Sequence, residues 1–290
     1  MRTWLVLPLL VLLAGCAARP VSQRAAHPPP TTVAGNAPPF AMVPYEPISR
    51  ESVVGIALRE WRLFGQPVDD DPPGTRPPPL PDQKPERMAG LWQRVGEYWW
   101  MGMDPGTMES AWTGKHDAAG LEFPANQDAY YAWSAAFISY VMRIAGAGPR
   151  FPYSEAHSDY IDTAKEMALG QTSGWLVTAE RLTDYAPQPG DMICMSRTRH
   201  PLTYDQLPAQ HFPAHCDIVV AIHPDLISVV GGNIDDAVTM KHVPVTADGK
   251  LATPDGQVLD TRYPWMVVLR LLVAPPAPQV ATPVASAAPP

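Results

Sequence analysis

The segment that decides the fold reads Asp217-Ile-Val-Val-Ala-Ile222, then Pro224-Asp225, then Leu226-Ile-Ser-Val-Val230. Two runs rich in isoleucine and valine on either side of a turn are typical of a β-hairpin. Three further short apolar runs stand at hairpin spacing around it: Met192–Met195, Ala237–Val245 and Trp265–Leu272. The sequence therefore predicts four or five short antiparallel strands in the C-terminal half of the chain.

Upstream of these strands the apolar residues recur at helical spacing instead. Four helices are predicted, at Ser49–Phe64, Glu86–Met103, Ala132–Ala147 and Ser154–Leu169, with a short further helix at 175–183. Ser49 can cap the first helix, and the third is apolar nearly all round, which predicts that it is buried. Helices followed by an antiparallel sheet indicate an α+β fold, with N-terminal helices packed on a four- to five-stranded sheet.

Proline is concentrated in three stretches of this 290-residue chain, which contains 36 prolines. The stretches 16–48 and 274–290 are predicted to be a spacer and a disordered tail, and 67–82 a proline-rich connection. The part between spacer and tail, 49–273, is long enough for one domain with a well-buried core. The formal charge is −8 and no basic run is present, so nucleic acid is not expected as a partner.

The N-terminal residues resemble the signal of bacterial lipoproteins. Arg2 precedes the apolar run Trp4–Leu13, which is too short to span a bilayer, and Leu13-Ala14-Gly15-Cys16 follows. The resemblance implies that 1–15 is a signal peptide and that Cys16 carries a lipid, the only expected contact with a membrane. In a Gram-negative source, Ala17 favours the outer membrane, with the domain facing the periplasm. An ordinary secretory leader and an uncleaved anchor are the alternatives.

Two cysteines remain once Cys16 is acylated, namely Cys194 and Cys216. An envelope compartment permits a disulfide between them, but the sequence does not decide whether they are close in space. No Cys-x-x-Cys or His-Glu-x-x-His spacing is present. We therefore expect neither a metal site nor a cofactor.

Three residues have the types and the chain order of a nucleophilic acyl-transfer site. Ser134 lies in the first turn of the buried helix, where unpaired N–H groups and the helix dipole favour negative charge. His215 opens a strand expected to pack on that helix, and Asn233 lies one hairpin further along. Ser134 is therefore a candidate nucleophile, His215 a candidate base, and Asn233 a candidate for orienting the histidine ring.

The same residues carry a resemblance to NlpC-type and CHAP cell-wall peptidases, which have a papain-like fold. Pro189-Gly190-Asp191 resembles the start of one of their strands. Trp133–Phe137, Ala156–Tyr160 and Gly231–Asn233 resemble, more closely, the bacterial family called domain of unknown function 2272, over roughly 50–273. The resemblance implies a papain-like domain that hydrolyses an amide bond in the peptides of peptidoglycan.

One departure from the peptidases affects the expected chemistry. They carry cysteine where this chain has Ser134, and CHAP enzymes often have Glu where this chain has Gly231. A serine hydroxyl must lose its proton during attack, so the histidine becomes a cation, and a neutral Asn233 does not stabilise that cation as a carboxylate does. Three nearby acids can supply the carboxylate: Asp217, Asp235 and Asp236.

His157, beside two acids on the fourth predicted helix, competes with His215 for the role of base. Trp133 is a further cleft candidate, although tryptophan is a core residue by default. The replacement of cysteine by Ser134 also favours a second function, a catalytically silent binder of cell-wall peptides or of an envelope protein. A structural lipoprotein without a cleft is the third alternative.

Overall fold

The computed structural model describes residues 47–273, except 78, 105–106, 108–120, 123, 125–130, 252–254 and 256–259. Four α-helices in the described part precede a single antiparallel sheet of six strands, which makes the fold α+β. The helices are α1 (Arg50–Leu63), α2 (Leu91–Gly102), α3 (Ser134–Ile144) and α4 (His157–Ala168). The strands are β1 (Val177–Glu180), β2 (Met192–Ser196), β3 (Ala214–Ile222), β4 (Leu226–Ile234), β5 (Ala237–Pro244) and β6 (Trp265–Leu271).

The sheet has the strand order β1-β6-β2-β3-β4-β5, and it contains one strand more than the upper prediction. The extra strand is β1, where the sequence predicted a short helix at 175–183, so that prediction was wrong. Val177 and Ala179 are buried and alternate with half-buried neighbours, which is the two-residue period of a strand. Backbone pairing of Val177 with Leu271 on β6 fixes this segment as the edge of the sheet.

The starts of two predicted helices can be compared with the structure. In α1 the Ser49 side chain accepts a hydrogen bond from the Ser52 amide at 3.1 Å, which confirms the predicted cap. The helix predicted from Glu86 begins only at Leu91, because Gly90 has φ 88°, a left-handed conformation that interrupts a right-handed helix.

Helix α3 is the central helix of the main core, and all but two of its residues are buried. It packs closely on β4, where a Cβ atom added to Gly232 would lie 2.6 Å from the Phe137 Cβ. Only glycine permits that approach of strand to helix. The predicted burial of this helix is confirmed, and the close packing holds the start of α3 near the sheet.

A buried disulfide joins the neighbouring strands β2 and β3 through Cys194 and Cys216, which are paired in register. Cys216 lies between His215 and Asp217 on β3 and faces the helix-side core. The cross-link therefore fixes the register of the strand that carries both of these polar residues.

Asp191 holds the start of β2 in place. This fully buried carboxylate accepts hydrogen bonds from the Tyr185 hydroxyl and from the Gln188 and Leu271 amides, each at 2.8 Å. The Arg50 guanidinium forms an ion pair with it at 2.8 Å. One side chain thus ties α1, β2 and β6 together, which gives the Pro189-Gly190-Asp191 motif a structural role.

The proline-rich connection lies along β5 at the other edge of the sheet. Val68 forms a parallel bridge with Met240, and the Asp69 amide donates to the Met240 carbonyl at 2.9 Å. Asp70 accepts from the amide of His242 at 2.7 Å and lies 2.8 Å from its Nδ1. The segment covers an edge that would otherwise expose unpaired backbone groups.

Several predictions fall outside the described residues. These are the signal peptide, the lipidation site Cys16, nearly all of the 16–48 spacer and the 274–290 tail. In the described ranges, no helix combines the length and the apolar composition needed to cross a bilayer.

Candidate functional site

Ser134 begins α3 and points at a histidine from the neighbouring helix. Its Oγ lies 2.7 Å from Nε2 of His157, the first residue of α4. Ser134 is 6 % exposed and His157 is 5 % exposed, so the contact is shielded from bulk water. The first-turn N–H groups of α3 have no intrahelical acceptors and point toward the same end of the helix. Hydroxyl, imidazole and helix N-terminus thus form one cluster.

His157 is held from its other side by Tyr160, one helical turn further along α4. The Tyr160 hydroxyl is hydrogen-bonded to Nδ1 of the imidazole. Burial, reinforced by nearby His215, lowers the pKa of His157 well below 6.5, while Asp217 opposes that shift. The ring is therefore neutral at pH 7 and one of its nitrogens can accept a proton.

A second histidine, His215, forms a buried charged group with two other side chains. Its Nε2 lies 2.9 Å from Oδ1 of Asp217, and Oδ2 of Asp217 lies 2.6 Å from Nζ of Lys241. All three side chains are at least 97 % buried. Burial raises the pKa of Asp217, but Lys241 and His215 outweigh it, and the net pKa lies far below 3.8. Asp217 is therefore an ionised carboxylate at pH 7.

Lys241 reaches Asp217 across the intervening strand β4, which has a glycine, Gly231, beside the carboxylate. A Cβ atom added there would lie 2.0 Å from Oδ1 of Asp217 and 2.9 Å from Nε2 of His215. Neither separation is compatible with van der Waals radii. The glycine thus provides the space in which the carboxylate of Asp217 meets the imidazole.

The two histidines bring these groups together. The ring centroids of His157 and His215 are 5.3 Å apart, with an angle of 56° between the planes. The contacts therefore run continuously from Ser134 through both rings to Asp217 and Lys241. Burial lowers the pKa of His215 too, against the opposing effect of Asp217. Both imidazoles are neutral in the resting state.

A cavity of about 690 Å³ opens onto one end of this cluster. His215, Lys241 and Asn233 line it, whereas Ser134 and His157 do not. Part of the proline-rich connection, including Pro72 and Arg76, forms one wall of this cavity. Another cavity, of about 760 Å³, lies between α1 and the end of β6 and contains none of the predicted site residues.

The observed partners differ from the predicted pairing of Ser134 with His215. The hydrogen bond of Ser134 goes to His157, the competing base of the sequence analysis, because α4 places the start of its first turn against the start of α3. In the described part of the chain, Nδ1 of His215 has no hydrogen-bond partner. A role for His215 as base in the reaction stays a prediction.

Asn233 does not hold the ring of His215 in the structure. It lies near the end of β4 with φ 58°, it is half-buried, and its side chain makes no hydrogen bond to a described residue. Asp217 holds the ring instead, because it lies two residues from His215 on the same face of β3. The acid that the sequence analysis named as a candidate thus occupies the place expected for Asn233.

The two other cleft candidates, Trp133 and Asp236, differ in their position relative to the cavity. Trp133 is fully buried and donates its Nε1–H to Oε2 of Glu86 at 2.6 Å, so it belongs to the core rather than to a cleft mouth. Asp236 lies in the cavity wall, 3.1 Å from Nζ of Lys84. It is not a partner of either histidine.

Lys241 was missed by the sequence reasoning. The other buried residues of its strand are mostly apolar. A buried lysine in such a strand indicates that a carboxylate lies opposite it. Identifying the partner requires the register of three strands. Among the residues described, no group of three or more histidine, cysteine or acidic side chains is arranged to hold a metal ion.

The model of one protein family matches residues 86–271, and its description reads "Uncharacterized protein conserved in bacteria (DUF2272)". The matched region contains Ser134, His157, His215 and Asp217, together with Lys241. No curated protein and no solved structure matches the chain.

Proposed function

The chain belongs to the DUF2272 family, and we propose that it is a serine-dependent amide hydrolase with a papain-like fold. One observation carries the proposal, namely the 2.7 Å contact between Ser134 Oγ and His157 Nε2 at the start of a buried helix. A hydroxyl beside a neutral imidazole and free helix N–H groups is the arrangement that acyl transfer requires.

The arrangement of the elements supports the papain-like assignment. In that fold, a helix that begins with the nucleophile packs on an antiparallel sheet, and a strand of the sheet carries a histidine. Helix α3, which begins with Ser134, and strand β3, which carries His215, follow this order, and α3 packs on the sheet at Gly232. The fold would place Ser134 where the peptidases have cysteine.

The proposed reaction begins when Ser134 Oγ attacks the carbonyl carbon of the substrate. The hydroxyl proton passes to Nε2 of His157, and the carbonyl oxygen becomes an oxyanion stabilised by the first N–H groups of α3. The C–N bond then breaks, and the leaving amine takes the proton from His157. Water then attacks the resulting ester and donates one proton to His157. His157 passes that proton to Ser134 Oγ as the ester bond breaks, which restores the serine hydroxyl.

The cation formed on His157 needs compensation because the ring is buried. Its direct partner Tyr160 is neutral, but the Asp217 carboxylate raises the pKa of His157 and so favours the cation, against the opposing effect of His215. In this scheme the Asp217 carboxylate supports the reacting pair, and its partners His215 and Lys241 hold it in position. In an alternative assignment His215 is the base. Asp217 would then hold its Nε2, and its Nδ1 would accept the proton.

Peptidoglycan peptides are the proposed substrate. The resemblance of Leu13–Cys16 to a lipoprotein signal would place the domain on the outer membrane facing the periplasm. The Cys194–Cys216 disulfide supports an oxidising compartment of this kind. The resemblance to cell-wall peptidases supplies the substrate class.

A second candidate function is a catalytically silent binder of the same peptides. The observation that favours it is the neutral partner of His157, since loss of the acid in a serine protease lowers turnover by about 10⁴. The near-complete burial of Ser134 also favours it. In that case the cavity would be retained and turnover lost.

Intact sacculi incubated with the purified protein distinguish the two functions. We expect soluble muropeptides with the native protein and with Ser173→Ala, which changes an exposed serine, and none with Ser134→Ala. Release by Ser134→Cys alone would identify a silenced site. Unchanged release by Ser134→Ala would remove Ser134 from the mechanism, and no release or binding by any variant would overturn both functions.

A further inference from the structure

The cavity beside His215 has four cationic side chains in its wall, and three of them already have acidic partners. Lys241 pairs with Asp217 at 2.6 Å, and Lys84 lies 3.1 Å from an aspartate of the β4–β5 turn. Arg76 contacts three aspartates, the nearest at 2.6 Å. Arg197 is the fourth, and it forms no ion pair within the described part of the chain.

The backbone that carries Arg197 is well fixed although its side chain is exposed. The Arg197 amide donates to the Pro213 carbonyl at 2.8 Å, directly before the start of β3. Beside it, Ser196 Oγ lies 2.8 Å from the Thr198 hydroxyl and accepts from the Leu202 amide at 3.1 Å. Arg197 is thus attached to the strand that carries His215.

The guanidinium is close enough to affect the site electrostatically. Arg197 contributes to lowering the pKa of both His157 and His215. The chain as a whole is acidic, with a formal charge of −8, and would repel anions in general. Arg197, which has no ionic partner among the described residues, therefore provides a local positive charge at the cavity that His215 lines, and its planar guanidinium matches a carboxylate.

We propose that Arg197 binds a carboxylate of the peptide ligand in the cavity lined by His215. This inference rests on the proposed function for the identity of the ligand as a peptide. The carboxylate comes either from a free C-terminus or from an acidic side chain, and both present the same two oxygens. Carboxylate binding would also offset the effect of Arg197 on the two imidazoles and favour their protonation.

The test measures binding in the full chain carrying Ser134→Ala, so that no turnover occurs. Three probes differ only in their carboxylates: N-acetyl-trialanine as the free acid, the same peptide as its amide, and N-acetyl-Ala-Glu-Ala amide. Binding is followed by the NMR signals of the His215 ring. We expect the free acid or the glutamate peptide, whichever source fits, to bind at least about tenfold more tightly than the trialanine amide, as for a charge-assisted hydrogen bond.

Arg197→Gln is expected to abolish this preference, and Arg197→Lys to keep part of it. Arg199→Gln is the matched control, because Arg199 is exposed nearby, lies outside the cavity wall and has no ion pair in the described region. Equal affinity for all three probes, no binding of either carboxylate peptide, or an unchanged preference in Arg197→Gln would overturn the proposal.

The outcome is separable from that of the proposed function. A preference for carboxylates that depends on Arg197, in a protein that releases nothing from sacculi, supports the binding site and excludes the hydrolase. Release of muropeptides with no carboxylate preference supports the hydrolase and removes Arg197 from recognition.

Discussion

Replacing Gly231 with alanine is expected to displace the Asp217 carboxylate from its buried ion pair with Lys241. The new Cβ would lie 2.0 Å from Oδ1 of Asp217 and 2.9 Å from Nε2 of His215, so the carboxylate must move. Breaking a buried ion pair costs about 3–5 kcal/mol. Alanine recovers about 0.5–1 kcal/mol of backbone entropy relative to glycine. The free energy of unfolding should therefore fall by roughly 3 kcal/mol.

Urea denaturation measures this loss, with Gly55→Ala as the control. Gly55 lies on the exposed side of α1 with no atom within 4 Å of its added Cβ, so alanine should stabilise the protein by about 1 kcal/mol there. In the background of Asp217→Ala the most severe clash, the one with Oδ1, is removed, and Gly231→Ala should cost less than in the native protein. Equal stability of Gly231→Ala and the native protein would refute the geometry of the pair.

Three further predictions concern stability. Burial lowers the pKa of His157 and His215 below 6.5, so the unfolded chain binds more protons than the folded chain as the pH falls. The free energy of unfolding should therefore be retained above pH 6.5 and decrease below it. His157→Gln should reduce the measured dependence of the unfolding free energy on pH. Removing the Cys194–Cys216 cross-link, which spans 22 positions, in the double alanine variant should cost about 3 kcal/mol of unfolding free energy, and a loss below 1 kcal/mol would contradict this. Asp191→Asn cannot satisfy all four donors of that carboxylate and should lower the urea midpoint strongly, whereas an unchanged midpoint would show that the buried network is not required.

The elements that the sequence predicted well are those whose signals are local. Ser49 caps its helix through its own side chain, and the two runs around Pro224-Asp225 form a hairpin because both the turn and the β-branched residues favour it. The short segment Val177–Glu180 has too few residues to distinguish the two-residue period of a strand from the period of a helix. Its pairing with β6 comes from a segment some 90 residues away, which local sequence does not reveal.

In the candidate site, too, the residues with local sequence signals were predictable, whereas the contacts that depend on tertiary packing were not. Ser134 and His215 were identifiable from their places at the starts of a helix and a strand. The partner of Ser134 depends on the angle at which α4 meets α3, and that angle is a property of the packed core. Lys241 joins the site through the register of β3, β4 and β5, and the missing side chain at Gly231 leaves room for the Asp217 carboxylate that it contacts.

The central claim is that Ser134 is a nucleophile activated by His157. A fluorophosphonate probe, which reacts with activated serines, tests it when the labelled residue is located by mass spectrometry of peptides. We predict a single adduct on Ser134 that is lost in His157→Gln and retained in Ser173→Ala. A native protein that stays unlabelled, or labelling of Ser134 that does not depend on His157, would contradict the claim.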